Sequence, residues 1–457
     1  MPPKFGTSGL RGLVVELTPE LVSEHVHAFL QACPIGTGLY VGRDLRPSSP
    51  DIAGMIIAAA RERGVEVTDC GDILTPGLAL AAMGVGAAAV MVTGSHIPAD
   101  RNGLKFYTPD GEITKDHEAA ILGALGNVSA YSGEQGRLQT YSCEAAYVSR
   151  YVDAFPAKLS GMTVGVYSHS TVGRDVLSDI LRGLGAEVIE LGRSDTFIPV
   201  DTEAVPEDVR AQLKAWAADH PVDAIVSMDG DGDRPLLADA KGEVVVGDVL
   251  GQITAALLEA ETVVTPVSSN TGAEVGGAFR QVIRTRIGSP YVIAGMEEAG
   301  GNVVGYEANG GFLLGFTSGK IAPLMTRDAV LPLVAVLVAA KGTGVAELVA
   351  NQPPRFTAAD RLQEVPTEIS RALVSELDSN KDKLVDFIGK MNGVPAGVDR
   401  TDGLRITLTD GRIVHLRPSG NAPELRLYVE ADSVVSARKA LAQGLAVLRE
   451  ATAPRQP

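Results

Sequence analysis

Apolar runs and polar gaps alternate along the first two-thirds of the chain with a recurring rhythm. Two short apolar segments, GLYVG (Gly38–Gly42) and MTVGVY (Met162–Tyr167), read as buried strands. Each gives way to a polar loop and then to a helix-period segment, DIAGMIIAAARER (Asp51–Arg63) and RDVLSDILRGL (Arg174–Leu184) respectively. Each closes on a further strand with the shared pattern G-x-E-V-x-x-x-G, in RGVEVTDCG (Arg63–Gly71) and LGAEVIELG (Leu184–Gly192). Strand, loop, helix and strand in that order is the βαβ grammar of a layered α/β sheet. A third, looser copy is expected from TVVTPVSSNTGAE (Thr262–Glu274), through a helix-like VGGAFRQVI, to NVVGYE (Asn302–Glu307).

After the proline-marked joint NQPPRF (Asn351–Phe356) the pattern changes. A helix-like stretch, ISRALVSELDSNKDKLVDFI, precedes the alternating segments LRITLTDGRIVHL and ELRLYVEA. Asp410-Gly411 between alternating strands signals a hairpin. A final helix, SARKALAQGLAVLREA, ends this part, which reads as a smaller α+β domain on a hinge.

Composition narrows the function. The length of 457 residues suits about three domains. A formal net charge of −16 argues against nucleic-acid or anionic-membrane partners, so any anionic ligand needs a local field built from a few arginines and lysines. Cys33, Cys70 and Cys143 lack metal-ligand spacing and fit reduced, buried thiols. The start, MPPKFGTSGLRG, has no signal-peptide core, and the longest apolar stretches, Gly77–Val92 and Ala329–Ala340, are too short to span a bilayer. A cytoplasmic enzyme or binding protein is expected.

The sharpest motif is MDGDGDRP, where Asp229, Asp231 and Asp233 alternate with glycine after the apolar strand AIVS (Ala224–Ser227). Ligands of open α/β sheets bind at such strand ends. Three carboxylates this close stay ionised together only around a cation, and oxygen-only ligands favour a hard ion such as Mg²⁺. A calcium loop of EF-hand type would need Gly and Glu where Arg234 and Ala240 stand, so it is discarded; a solvated acidic turn remains the bland alternative. Arg234 suits an anion held beside the metal.

Weaker signals lie elsewhere. HLRPSGNAPELRLY (His415–Tyr428) offers Arg417, Ser419, Gly420, Asn421 and Arg426 as donors with almost no acidic competition, either a phosphate cradle or an ordinary polar hairpin. GYEANGGF (Gly305–Phe312) sets Glu307 beside Asn309, as sugar hydroxyls require or as any strand-end turn allows. VTGSHIPADRNGLKFY (Val92–Tyr107) delivers Ser95, His96 and Lys105 off a core strand. Ser95 is a nucleophile or a turn residue, His96 a partner of the serine or of a carbonyl, and Lys105 functional or solvated. KFGTSGLRG (Lys4–Gly12) adds Arg11 in a phosphate-friendly but unspecific loop.

Taken together and in their order along the chain, from KFGTSGLRG to HLRPSGNAPELRLY, the five segments resemble the α-D-phosphohexomutase superfamily of phosphomannomutases and phosphoglucomutases, over nearly the whole chain. The resemblance implies three duplicated α/β domains with mixed sheets plus a C-terminal α+β domain, arranged around a central cleft. The expected divisions are 1–140 with the phosphoserine loop, 141–250 with the metal loop, 251–353 with the sugar loop, and 354–457 as a phosphate-binding lid. It implies that Ser95 is a phosphoserine and, with Asp229, Asp231 and Asp233, a ligand of Mg²⁺. Lys105 and Arg11 fall on acid/base and charge-stabilising positions, with His96 beside the serine. Glu307 and Asn309 fall where sugar hydroxyls are read. Arg417, Ser419, Gly420, Asn421 and Arg426 fall where the non-reacting phosphate is gripped, and Arg234 and Arg286 are further substrate-binding candidates.

The implied activity interconverts hexose 6-phosphate and hexose 1-phosphate through a hexose 1,6-bisphosphate, which also serves as phosphorylating activator. GTSG rather than GTDG in the opening motif favours mannose over glucosamine, with glucose the nearer alternative. A sugar phosphatase, or an inactive phosphosugar-binding paralogue, is the alternative of a different class. Departures touch substrate preference: Ile97 stands where Asn is usual, Gly94 where Ala is common, Asn309 for Ser, Gly311 for a frequent His, Asn421 for Thr, and Arg286 where many members carry Lys.

Overall fold

In a computed structural model, residues 3–6, 9–419 and 423–453 are described. The chain divides into two compact units. One takes the chain up to Val264 with Phe279–Gln281 and Gly288–Asn351; the other takes Thr265–Ala278, Val282–Ile287 and the chain from Gln352.

The first unit opens with a mixed sheet. Leu39–Arg43, Val67–Asp72, Ala88–Val92 and Leu138–Thr140 run parallel, and Arg101–Thr108 pairs antiparallel with both Ala88–Val92 and Leu10–Leu13. The parallel pairing of Leu39–Arg43 with Val67–Asp72 across the helix Ser49–Glu62 is the crossover that the first repeat predicts. Its second copy pairs Thr163–Tyr167 with Glu187–Leu191 across Arg174–Gly183. The strands that lead into two of the candidate loops are buried along their whole length and almost wholly apolar, as strands covered on both faces must be: Ala88–Val92 before Ser95, and Ala224–Met228 before Asp229.

The third repeat differs from expectation. VGGAFRQVI is not a helix: only Gly272–Val275 is helical, Gly276 and Gly277 break it, and Gln281–Thr285 is a strand. β-branched Val282 and Ile283 suit that strand, and the helix of this repeat lies later, at Ser289–Ala299. The strands Val303–Tyr306, Phe312–Leu314 and Leu324–Asp328 then pair antiparallel in sequence, which brings the sugar-loop candidate beside Leu324–Asp328.

In the second unit five strands form a wholly antiparallel sheet, from Phe356–Gln363 at one edge to Pro395–Asp399 at the other. The Asp410-Gly411 hairpin is present, with Gly411 at φ 83°. The long helix-like stretch is two helices, Thr367–Ser379 and Lys381–Gly389, because the Asn380 side chain accepts from the N–H groups of Asp382 and Lys383 and starts a new helix. One face of the sheet buries an apolar core with Leu404, Ile406, Val414 and Leu427. Among the described residues, no helix is long and apolar enough to cross a membrane. Cys33, Cys70 and Cys143 are buried and free.

Candidate active site

Ser95 sits three residues past the buried strand Ala88–Val92, at φ 55°, a left-handed conformation that non-glycine residues rarely hold. The fold imposes it. Ser95 N–H donates to Thr93 Oγ1 at 2.8 Å. Arg46 donates to the carbonyls of Ser95, Ile97, Pro98 and Arg101 at 2.9, 2.5, 2.7 and 2.9 Å. The guanidinium is buried, paired with Asp44 at 3.2 Å and stacked on Phe197 at 4.1 Å from the ring centre. Gly94 lies against it: a Cβ there would stand 2.6 Å from Arg46 Cζ.

The DGDGD turn meets this loop. Asp229, Asp231 and Asp233 are fully buried, and their ligating oxygens lie within 4.8 Å of one another. Gly232 supplies φ 71°, and at Gly230 a Cβ would lie 2.7 Å from the Ser95 carbonyl, so glycine is what lets the two loops touch. Ser95 Oγ donates to Asp229 Oδ2 at 2.5 Å. Lys105 Nζ donates to Asp231 Oδ2 at 2.6 Å and to Asp233 Oδ2 at 2.5 Å, and Thr75 Oγ1 donates to Asp231 Oδ2 at 2.6 Å. One oxygen of Asp231 and one of Asp233, both Oδ1, are buried without a hydrogen-bond partner. Orphaned carboxylate oxygens beside a serine hydroxyl form an oxygen-only donor set, and they fit a hard divalent cation.

Burial and the other two carboxylates push Asp229 up to about 8. Burial acts on Asp233 in the same sense, but Arg327, Lys105 and Arg234 overcome it and hold this carboxyl well below its ordinary range. Arg11 is lowered to about 10 by burial, then by Arg234 and Arg327. Arg11, Lys105, Arg234 and Arg327 thus build the local positive field that an acidic protein needs for an anionic ligand.

Arg234 Nη1 donates to His96 Nδ1 at 2.8 Å. An arginine only donates, so Nδ1 is the acceptor and His96 is neutral. Burial, then Arg234, lowers its pKa to about 4. Its Nδ1 lies 3.4 Å from Ser95 Oγ but is already engaged.

Glu307 and Asn309 are buried in the glycine-rich turn, with Asn309 Nδ2 3.5 Å from Glu307 Oε2. Sequence reasoning passed over the residue that ties this turn to the aspartates. Arg327 donates from Nη1 to Glu307 Oε2 at 3.1 Å and from Nη2 to Asp233 Oδ2 at 2.6 Å. A signal was present: Arg327-Asp328 closes the strand Leu324–Asp328 directly before the apolar helix Val330–Ala340, where unpaired charge would be costly. Arg46 was likewise missed, inside the loop that follows Leu39–Arg43.

The remaining candidates lie in the second unit. Arg417 and Arg426 are cross-strand neighbours, and Ser419 is buried with its N–H bonded to the Glu424 carbonyl at 2.9 Å. The expectation of almost no acidic competition fails here. Arg417 Nε pairs with Asp402 Oδ2 at 2.9 Å, and Arg426 lies 3.6 Å from Glu424 Oε2. Turns of the fold bring these carboxylates in from positions outside the motif or facing along the strand. Arg286 joins the same turn, donating to the Thr401 carbonyl at 3.3 Å, while Ile287 N–H donates to Asp402. Gly420 and Asn421 lie outside the described residues.

A buried serine hydroxyl against an oxygen-only donor set that fits a cation, enclosed by guanidinium and ammonium groups, suits phosphoryl transfer. Comparison with known proteins agrees. Models of phosphoglucomutase/phosphomannomutase alpha/beta/alpha domains I, II and III and of the C-terminal domain match residues 2–132, 145–242, 246–356 and 358–445. The phosphomannomutase of Sinorhizobium fredii (strain NBRC 101917 / NGR234) is 47% identical over 98% of this chain and 99% of its own. That of Salmonella muenchen is 44% identical over 94% and 92%. A phosphoglucomutase/phosphomannomutase family protein from Burkholderia thailandensis shares the fold at TM-score 0.79, with 21% identity and 97% of each chain covered. The chain belongs to the phosphoglucomutase/phosphomannomutase family, with its four-domain architecture, and is an intramolecular phosphotransferase.

Proposed function

We propose that the enzyme interconverts mannose 6-phosphate and mannose 1-phosphate through a phosphorylated Ser95. The observation that carries this reading is the buried Ser95 hydroxyl, bonded at 2.5 Å to the first carboxylate of the aspartate trio. Mannose rather than glucose or glucosamine is supported by the two phosphomannomutases above.

Ser95, Asp229, Asp231 and Asp233 would hold Mg²⁺, which when bound offsets charge on the phosphoryl oxygens. The residues of the chain do the rest. The Ser95 Oγ–P bond breaks as a bond forms between phosphorus and the free hydroxyl of the mannose phosphate; that hydroxyl gives up its proton and the departing Ser95 Oγ gains one, so the serine ends as a hydroxyl. Arg11 and Lys105, both cationic with Lys105 donating to Asp231 and Asp233, are the candidates for stabilising the charge; Lys105 could take up that proton only after first giving up one of its own, and Arg234, bonded to His96, adds a donor for phosphoryl oxygens. Glu307 and Asn309 are the candidates for reading sugar hydroxyls. In the second unit Arg286, Arg417, Ser419 and Arg426, with Gly420 and Asn421, are the candidates for gripping a phosphate. The resulting mannose 1,6-bisphosphate returns its other phosphoryl group to Ser95, and a hexose 1,6-bisphosphate would load a dephosphorylated enzyme. The same reading places domains at 1–140, 141–250, 251–353 and 354–457, and the enzyme in the cytoplasm.

The test is Ser95→Ala. Incubated with a hexose 1,6-bisphosphate, the wild type should gain one phosphoryl group by intact mass and convert mannose 1-phosphate, and the variant should do neither. Substantial turnover by the variant refutes the phosphoserine, and release of inorganic phosphate without isomer formation would make the protein a phosphatase.

A further inference from the structure

Arg327 stands at the end of the strand Leu324–Asp328, almost wholly buried at 2% exposure, and its guanidinium is shared between two loops of the first unit. One terminal nitrogen holds Asp233 at 2.6 Å, the other holds Glu307 at 3.1 Å. Nε has no hydrogen-bond partner and lies 3.9 Å from Glu112 Oε1. Glu112 is itself occupied, accepting from Ser289 Oγ at 2.7 Å.

The distribution of contacts on Glu307 is uneven. Arg327 and Asn309 both approach Oε2, at 3.1 and 3.5 Å, and among the described residues none donates to Oε1. An ionised carboxylate only accepts, so Oε1 is a ready acceptor for a ligand hydroxyl. A lysine offers a point charge and could not span two carboxylates with the same planar fork. The backbone leaves room for this fork alone: a Cβ on Gly311 would stand 2.6 Å from Arg327 Cδ and 3.1 Å from Asn309 Oδ1.

We propose that Arg327 is a positioning residue that sets sugar specificity: it pins Glu307 by Oε2, turns Oε1 toward a hexose hydroxyl, and ties that reading to the carboxylate cluster that faces Ser95. This rests on the reading of Glu307 as a sugar-binding residue. Correct seating of the hydroxyl and correct charge at Asp233 then depend on one guanidinium.

The experiment compares mannose 1-phosphate with its 2-, 3- and 4-deoxy analogues, in the wild type and in Arg327→Met, Arg327→Lys and Gly311→Ala, with kcat and KM resolved for each. A site built to bond a hydroxyl rejects the analogue that lacks it, so the wild type should lose about 100-fold or more in kcat/KM for at least one analogue. In Arg327→Met that penalty should shrink to about 10-fold or less, with the mannose reaction itself slowed about 100-fold. Gly311→Ala, which keeps the charge but displaces the side chain, should also lose discrimination, and Arg327→Lys should fall between. If Arg327→Met does not fold, the other two variants carry the test. A merely structural role would slow all substrates equally, so an unchanged penalty overturns the proposal while leaving the mutase reading intact. A wild type that ignores every hydroxyl overturns Glu307 as a reader and Arg327 with it. A wild type that turns over no hexose phosphate overturns the proposed function as well.

Discussion

The Arg46 guanidinium lies so close over Gly94 that a side chain at 94 would meet Cζ at 2.6 Å and Nε and Nη2 at 2.8 Å. Neither partner has room to yield, because Arg46 is held by four backbone carbonyls, Asp44 and Phe197. Gly94→Ala should cost about 1–3 kcal/mol through overpacking. It should also lower kcat by about 10-fold or more by displacing Ser95, since small misplacements of a reacting atom are costly. Thermal unfolding and steady-state kinetics on one preparation check both.

Arg46→Lys should be worse for stability. Lysine has three donors and no fork, so several carbonyls of the loop lose their partners inside the protein. Breaking such a buried charged network costs about 3–5 kcal/mol. Urea denaturation at neutral pH measures it, and a cost below about 1 kcal/mol would show that the loop holds itself.

Asp231→Asn removes one of the orphaned carboxylate oxygens from the cation seat. Its affinity for Mg²⁺ should fall by about 100-fold or more, given that even supporting residues around a metal are worth 10- to 100-fold. Wild-type enzyme stripped with a chelator should be inactive and recover on adding Mg²⁺. Titration with Mn²⁺, followed by calorimetry, reads the affinity independently of turnover.

His415 offers a pH test in the second unit. Its Nε2–H donates to the Asp402 carbonyl at 2.6 Å, and the ring stacks on Tyr428 at 5.3 Å. Burial, seconded by Arg405 and Arg417, lowers its pKa from 6.5 to about 4. Between those values the unfolded chain binds a proton that the fold refuses, so stability is complete above pH 6.5 and is lost as pH falls toward 4. From pH 7 to pH 5 this group should cost about 2 kcal/mol. His415→Gln should flatten the profile by that amount in paired denaturation curves, and identical slopes would contradict it.

Asn380 separates two helices that the periodicity ran together. Asn380→Ala removes acceptors for the N–H groups of Asp382 and Lys383 and should cost about 1 kcal/mol. A shift in the denaturation midpoint at constant slope would report it.

What was legible in the sequence was what lies close together along it. Asp229, Asp231 and Asp233 declare themselves because three like charges within five positions need an external reason. The two βαβ copies declare themselves because each opens on a short apolar strand, Leu39–Arg43 or Thr163–Tyr167, that runs through a loop into a helix-period segment. The third copy was misplaced at VGGAFRQVI, where apolar spacing imitates a helix that Gly276-Gly277 cannot sustain. Arg327 was invisible as a site residue because its carboxylate partners lie 20 and 94 positions away, and Arg46 because, Asp44 apart, it bonds distant backbone carbonyls, which no side-chain pattern encodes. Asp402 was missed beside Arg417 for the same reason, 15 positions upstream in another turn. Charge pairing across sheets is a property of topology, and a linear pattern carries only its local half.

The grip of Arg46 is applied to main-chain oxygens, which are the same whatever amino acid bears them. Gly94 apart, this grip does not depend on which side chains the loop carries at 97, 98 and 101. Ile97 is held through its main chain alone, its carbonyl accepting from Arg46 and its N–H donating to the Gly94 carbonyl at 3.2 Å. What the guanidinium secures is therefore the course of the main chain from 95 to 101, and with it the posture of Ser95.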